Sequence, residues 1–600
     1  MRSTDQPAYR RMNKTPIRTI AIAILFLIAA GSISADAFGK SKSKSKPSFS
    51  KWQAQSIFSF SDSKTEKTLK QMTLSEKIGQ MIIAQTEARS GITTDRATQQ
   101  LGRLVQEGKV GGIMFMKGDA FSAALLSNYF QSLTARPLLM SADMERGLAM
   151  RLSGATEFPP NMALAATKET KFAFEMAKAI AKEARIVGIH QNYAPTVDLN
   201  INPANPIINT RSFSDNPALA IAMSNAVIEG LQSNGIAATA KHFPGHGDVT
   251  VDSHLSLPVL NADRARLDAY ELQPFKAAID QGIISIMTGH LAVPKLTGTM
   301  EPASISKTIV TDLLRKDLGF TGLIITDAMN MKALYNGNNV AEISVKAVQA
   351  GNDLLLFSPD PELAHNAILN AVENGVIPRE NIDASVRRIL QLKHWLEIEH
   401  RKLVDLNSVM DNISPSAHRD LAEKITRNSI TIAQNANNVI PLKIGSSSGN
   451  ILSIILQDKS NSETGKHYID EINRYYPASH LRIDPKSDDQ TFAAALELAS
   501  KAPAVVISSY VQVFSGSGTL KLTLKQQEFI HKLAQSLPAG KPLIFISFGT
   551  PYLINAFPEI HAHLCAYAAN ETSETYAVKA LRGELSPTGT LPVSLQRNSR

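Results

Sequence analysis

The sequence predicts an α/β protein: a (β/α)8 TIM-type barrel followed by a second α/β sandwich domain. Two patterns predict the barrel. Short, nearly continuous apolar runs recur at 81–84, 110–116, 138–141, 193–197, 236–240, 283–287, 323–326 and 353–357. Runs of that length without polar alternation are strands buried on both faces, hence a parallel sheet. Between them lie stretches with helical period and capping residues, such as 263–281 and 306–318. Eight strand–helix units fit a closed barrel better than an open doubly wound sheet, the alternative that periodicity leaves standing.

In chain order, Arg10, Arg11, Lys14 and Arg18 precede an apolar run at 20–30, and small residues lead to Ala35-Asp-Ala37. A basic stretch, a core of about ten apolar residues and an A-x-A site describe a signal peptide over 1–37. The run is shorter than the roughly 20 residues that span a bilayer, and a single N-terminal membrane anchor is the alternative. Gly39-Lys-Ser-Lys-Ser-Lys-Ser-Lys46 opens a Lys/Ser-rich linker over 38–61, expected to be disordered.

Residues 1–51 hold ten Lys/Arg against two acidic residues, the whole of the formal charge of +8. The remaining body is neutral, which argues against a nucleic-acid partner. Its single cysteine, Cys565, excludes an intrachain disulfide framework and any Cys-based zinc site. Export without disulfides suits a bacterial periplasm or an extracellular location, with no membrane span in the mature chain.

The barrel is expected over 62–400, closed by a helix at 386–398. A polar linker around Ser414-Pro415 follows over 401–424, and the second domain over 425–600. Runs at 451–456, 504–508, 543–547 and 564–566 predict an open sheet there. Gly516-Ser-Gly518 lacks the third glycine and the strand–helix setting of a dinucleotide site, and reads as a loop.

Barrel chemistry sits at the carboxyl ends of strands. Polar residues collect there: Asp143, Glu145, Arg146 and Arg151 after the third run, Asp198 after the fourth, and Lys241 and His242 after the fifth. His290 follows the sixth and Asp327 the seventh. The loop Lys241-His-Phe-Pro-Gly-His-Gly-Asp-Val-Thr-Val-Asp-Ser-His254 continues to the next helix near Asp263, far beyond the usual two to six residues. Excess length at that end of a barrel points to function. His242, His246 and His254 admit a zinc reading, but Pro244 and the glycines break a helical His-x3-His. Asp327, at the tip of a buried strand, stands where a nucleophile or base belongs, with a helix N-cap as the structural alternative.

The loop 241–254, with Leu257-Pro258 after it, resembles the signature of the β-N-acetylglucosaminidase branch of family 3 glycoside hydrolases. Met72-Thr-Leu-Ser-Glu-Lys-Ile-Gly-Gln-Met81, Asn209-Thr-Arg-Ser-Phe213, Thr326-Asp-Ala-Met-Asn-Met331 and Gly583-Glu-Leu-Ser-Pro-Thr-Gly-Thr-Leu-Pro592 extend the likeness over roughly residues 65–600. The resemblance implies a retaining enzyme acting on terminal N-acetyl-β-D-glucosamine of peptidoglycan fragments or chitooligosaccharides, with no metal or organic cofactor. It places the nucleophile at Asp327 and the acid/base at His254, with Asp252 as its dyad partner, in place of the usual second carboxylate. Asp143, Arg151, Arg211, Lys241 and His242 match positions that hold sugar hydroxyls. One departure stands out: Asp143-Met-Glu-Arg-Gly-Leu has Arg146 where the family has glycine. A phosphorylase and a non-catalytic glycan-binding envelope protein are the alternatives at this stage.

Overall fold

The computed structural model describes residues 54–595, less 60–61, 90–93, 336, 446–447, 514–519, 521 and 561. The expected signal peptide, most of the Lys/Ser-rich linker and Gly516-Ser-Gly518 lie outside these residues. One piece of the linker is described, and it is helical rather than disordered: Ala54–Phe58. Its Ile57 and Phe58 pack against the barrel core, which supplies the burial that a five-residue helix cannot supply alone.

Strands β1 (Ile82–Ala88), β2 (Gly112–Asp119), β3 (Leu139–Ala142), β4 (Leu152–Ser153), β5 (Gln191–Asn192), β6 (Ala237–Phe243), β7 (Ser285–Thr288), β8 (Leu323–Thr326) and β9 (Leu355–Leu356) form one parallel sheet. Its order is β8-β7-β6-β5-β3-β2-β1-β9, with β4 laid against the end of β2. A bridge from Ile325 to Leu354 joins β8 to β9 and completes the circuit. Seven of the eight barrel strands overlap the expected runs, and the ladder of the fourth lies just N-terminal to its run. There the regular ladder covers Gln191–Asn192, and 193–197 continues beside its neighbours through a bridge from Thr196 to Lys241 and backbone bonds at Tyr193, Ala194, Pro195 and Val197. Pro195 has no N–H to give to a ladder.

The segment 263–281 forms two helices, Arg264–Ala269 and Gln273–Gln281, with Pro274 in the first turn of the second. Thr308–Asp317 winds as a π-helix. The closing helix is Arg379–Trp395. At the amino ends of the strands its Lys393 donates to Gln80 Oε1 at 2.7 Å and to the carbonyls of Gly111 and Pro137 at 2.8 Å each. The expected linker carries the helix Leu406–Asn412 and most of Ser416–Ser429, whose Ala422 and Ile425 bury in the barrel core.

The second sheet has the order β10-β15-β14-β13-β11-β12, with β10 (Thr431–Asn435), β11 (Ile451–Leu456), β12 (Ala478–Ile483), β13 (Val505–Ser509), β14 (Leu543–Ser547) and β15 (Ala562–Cys565). All neighbours are parallel except β10, which runs antiparallel to β15. Alternate residues feed two cores. Ile451, Ile455, Val506 and Ile544 meet Tyr468, Ile472 and Leu581 on one face. Leu452, Ile454, Val505 and Phe545 meet Ala495, Phe529 and Leu533 on the other. A sheet buried on both faces by helices is the expected sandwich.

A further cluster ties this sheet to the barrel. Met162, Ala163 and Ala166 of the helix Asn161–Ala166 pack against Tyr552, Cys565, Tyr567 and Val593. The Thr590 N–H donates to the Ala166 carbonyl at 2.9 Å, and Asn200 Nδ2 donates to Tyr552 Oη at 2.9 Å. Among the described residues no helix is long and apolar enough to cross a membrane.

Candidate active site

The carboxyl ends of the barrel strands open on a cleft of about 540 Å³. Asp143, Arg151, Arg211, Lys241, His242, His254 and Asp327 all line it, as does His246. Asp252 is the one predicted site residue set behind the wall, fully buried beneath His254.

Sequence-distant charges interlock on one side of the cleft. Asp143, just past β3, accepts from Arg151 Nη2 at 2.7 Å and from Lys241 Nζ at 2.8 Å. Lys241 Nζ also lies 2.8 Å from Glu145, and Arg211 grips that carboxylate with Nε at 3.0 Å and Nη2 at 2.8 Å. Burial would raise both carboxyls, but the cations outweigh it. Lys241 and Arg151 hold Asp143 below its ordinary range, and Arg211 with Lys241 holds Glu145 well below. Burial opposes the charge on Lys241 too, and the two carboxylates raise it nonetheless. Three fixed cations and two fixed anions present directed donors and acceptors suited to a polyol.

Arg146 does not disturb this turn. The left-handed position is Gly147, φ 100°, where a Cβ would meet the Thr156 carbonyl at 2.3 Å. Arg146 reaches away to pair with Glu157 on the cleft wall.

The long loop begins at the end of β6 and is held by Asp198. One oxygen of Asp198 accepts from the His242 N–H at 3.0 Å and lies 2.7 Å from His242 Nδ1; the other accepts from the His246 N–H at 2.7 Å. His242 therefore donates from Nδ1 and turns Nε2 toward Arg211 Nη2, 3.5 Å away. Close approach sets the turn: a Cβ on Gly247 would lie 1.6 Å from the Leu199 carbonyl. Burial, with His242 adding to it, pushes His246 down to about 4, and its Nε2 lies 3.2 Å from Ser253 Oγ.

Farther along the loop, His254 Nδ1 and N–H both address Asp252 Oδ1, at 2.8 and 2.9 Å. The imidazole thus donates from Nδ1, and Nε2 on the opposite ring edge is left for the cleft. Asp327 ends β8. Its N–H donates to the Thr288 carbonyl at 2.9 Å, and its Oδ1 accepts the Ala328 N–H at 2.7 Å. Burial would raise this carboxyl, yet at the low pH where it titrates protonated His242 and His290, the Ala328 N–H and protonated His254 bring it down to about 2. The zinc reading finds no support in the geometry: among the described residues no three His, Cys, Asp or Glu side chains are placed to hold a metal ion together.

The second sheet supplies a wall that sequence reasoning missed. Gln512 and Val513 follow β13, Gly549 follows β14, and Tyr567 through Asn570 follow β15, and all line the same cleft. The signal was present, since each stands just past an apolar run, where open α/β sheets place ligands. Glu145 and Ser253 are also cleft residues to which the sequence assigned no role.

Residues 73–392 match the Glycosyl hydrolase family 3 N terminal domain. A beta-N-acetylglucosaminidase/beta-glucosidase from Cellulomonas fimi is 27% identical over an alignment of 551 residues that covers 88% of this chain and 94% of that protein. Beta-hexosaminidase A from Pseudoalteromonas piscicida is 29% identical over 85% of this chain and 93% of its own. Among solved structures, a glycoside hydrolase family 3 beta-N-acetylglucosaminidase from Paenibacillus sp. str. FPU-7 aligns with a TM-score of 0.76 at 32% identity, covering 87% of this chain and 99% of that one.

Proposed function

This chain belongs to glycosyl hydrolase family 3, and from that footing we propose that it is a retaining exo-β-N-acetylglucosaminidase, releasing terminal N-acetyl-β-D-glucosamine through a covalent glycosyl-enzyme. The observation that carries this reading is the shared cleft. An ionised carboxylate at the tip of β8 and an imidazole backed by a buried carboxylate line one cavity, beside a lattice of fixed charges. The Paenibacillus structure's name supports this sugar, as does the first of the two activities named for the Cellulomonas fimi relative, a beta-N-acetylglucosaminidase/beta-glucosidase, and the Pseudoalteromonas piscicida beta-hexosaminidase is in keeping with it.

In this mechanism Asp327 attacks the anomeric carbon with Oδ2, its Oδ1 being engaged by Ala328. The glycosidic C–O bond breaks as His254 Nε2 delivers a proton to the departing oxygen. Asp252 fixes the tautomer and stabilises the imidazolium while it exists. Water then attacks the anomeric carbon, His254 takes its proton, and the bond from that carbon to Asp327 breaks. Arg151 and Lys241 orient Asp143, and Arg211 and His242 complete the hydroxyl-binding side. No step calls for a metal or organic cofactor. As an exported protein, in the periplasm or outside the cell, it would meet peptidoglycan fragments or chitooligosaccharides.

One observation favours a second reading. The acid/base position facing the cleft is an imidazole, with the Asp252 carboxylate buried behind it, so no carboxylate at that position repels an incoming anion and phosphate could resolve the ester in place of water. Proton NMR of a digest of the nitrophenyl N-acetyl-β-glucosaminide in 20 mM phosphate separates these, a concentration of roughly ordinary buffer strength chosen well above typical substrate constants. Free N-acetylglucosamine appearing first as the β-anomer supports the hydrolase. The sugar 1-phosphate supports the phosphorylase, an initial α-anomer refutes retention, and no turnover returns the non-catalytic glycan-binding reading.

A further inference from the structure

A closed ring of buried hydrogen bonds lies under Asp327, and from it we infer that His290 is a positioning residue for the nucleophile, acting through the Ala328 backbone. The inference rests on Asp327 being the nucleophile. His290 follows β7, is fully buried and does not line the cleft, so it touches no substrate. Its Nε2 is 3.1 Å from the Ala328 carbonyl oxygen, and its Nδ1 is 2.7 Å from Ser304 Oγ. A carbonyl only accepts, so Nε2 carries the proton and Nδ1 accepts from the serine hydroxyl. Burial pushes the imidazole below its ordinary value, in keeping with that neutral, one-donor form.

The ring continues on both sides. Asn352 Nδ2 donates to the Ser304 carbonyl at 2.7 Å, and Thr288 Oγ1 donates to Asn352 Oδ1 at 3.0 Å. The Thr288 carbonyl accepts the Asp327 N–H at 2.9 Å. Ser304, His290, Thr288 and Asn352 are all essentially without solvent. The carboxyl ends of β7 and β8 and the residue leading into β9 are thereby locked together. Ala328 is gripped at both ends, its N–H by Asp327 Oδ1 and its C=O by His290. Remove the second grip and the 328–329 peptide keeps only the bond from the Met329 N–H to the Leu356 carbonyl at 2.8 Å, so the backbone at Ala328 gains freedom and the adjoining Ala328 N–H, the donor that sets which carboxylate oxygen faces the anomeric carbon, can shift. A buried carbonyl would also be left without a donor. A histidine that merely filled the core would be replaceable by any side chain of its volume.

Trapping with a 5-fluoro-N-acetylglucosaminyl fluoride tests this. The C1–F bond breaks, fluoride departs with the bonding electrons, and an ester bond forms between C1 and Asp327. Fluoride needs no proton, so the rate reports the nucleophile without His254. His290→Leu is expected to slow trapping tenfold or more, toward the roughly 100-fold that misplacement of a reacting group costs, with the inhibitor's binding constant unchanged. His290→Gln, whose amide N–H falls near the Nε2 position, should restore most of the rate. His290→Asn, whose amide falls near Nδ1, should not. Trapping of His290→Leu at the wild-type rate, or equal rates for Gln and Asn, overturns the inference. Failure of the wild-type protein to label at Asp327 removes the nucleophile reading itself, a separate outcome that the same mass spectra show.

Discussion

At the scale of single residues the decisive feature is how little freedom the two reacting groups have. His254 is oriented by two bonds to one oxygen of Asp252, and Asp327 by the amide of its own neighbour. An acid that serves only the leaving group should matter in proportion to how poor that group is. His254→Ala is expected to cost on the order of 100- to 10,000-fold in kcat/KM on chitobiose but less than about tenfold on a nitrophenyl glycoside, whose leaving group needs little help. Steady-state rates on the two substrates check this, and equal losses would contradict the role. Asp327 sets a second expectation. Its folded pKa, about 2, lies below the roughly 3.9 of an unfolded aspartate. The ionised form therefore stabilises the fold above about pH 4, and that contribution fades only as the pH falls toward 2. On the nitrophenyl substrate kcat/KM should stay level from pH 6 to pH 4. A fall centred in that interval would show that the surrounding histidines and the Ala328 amide do not hold the carboxylate down.

At the scale of elements, the barrel separates stability from chemistry by putting them at opposite ends of its strands. Lys393 occupies the amino end, where burial pushes its ammonium down to about 7. Three oxygen acceptors surround it, and only the charged form has three hydrogens to give them. Lys393→Met would leave the Pro137 carbonyl and the Gln80 amide oxygen without this donor, while the Gly111 carbonyl keeps the Leu139 N–H at 3.0 Å, at about 1 kcal/mol or more for each lost partner. The expected result is a thermal midpoint several degrees lower with kcat/KM intact at 25 °C, read by calorimetry and a chromogenic assay. Lost activity in a still-folded variant would show that the two ends are coupled. The elements also show what could be read from the chain. The barrel runs are legible because both of their faces are buried, so the few polar residues inside them, such as Thr239 and Ser285, are small and buried. Strands β10 and β12 are not, because they sit at the edges of the second sheet and carry half-exposed residues such as Gln434, Ser479 and Arg482. Asp327 and the loop to His254 are legible because they crowd reactive side chains into few residues. Gln512, Tyr567 and Asn570 look like ordinary loop residues until two sheets are packed together.

At the scale of the whole molecule, the second sheet does more than wall the cleft, since a hydrogen-bonded chain runs from it into the sugar-binding lattice. Tyr552, in the turn after β14, accepts from Asn200 Nδ2; Asn200 Oδ1 accepts the Asn209 N–H at 2.8 Å. Asn209 opens the short turn that ends in Arg211, whose guanidinium grips Glu145. Deleting one hydroxyl at Tyr552 should therefore be felt at Arg211, although the two belong to different sheets. Tyr552→Phe keeps the ring in its apolar cluster and leaves Asn200 Nδ2 with only the weaker contact to the Asn202 carbonyl at 3.4 Å. A lost buried hydrogen bond of about 1 kcal/mol, passed on to ground-state binding, predicts a KM on the nitrophenyl glycoside raised about three- to fivefold with kcat within twofold. Tyr576→Phe is the control. It deletes a hydroxyl that bonds Glu423 on an exposed surface, and neither residue lines the cleft. It should leave both constants unchanged. If Tyr552→Phe behaves like Tyr576→Phe, the second sheet shapes the cleft without steering Arg211. If only Tyr552→Phe raises KM, substrate binding in the barrel depends on a sheet that contributes neither of the two reacting groups.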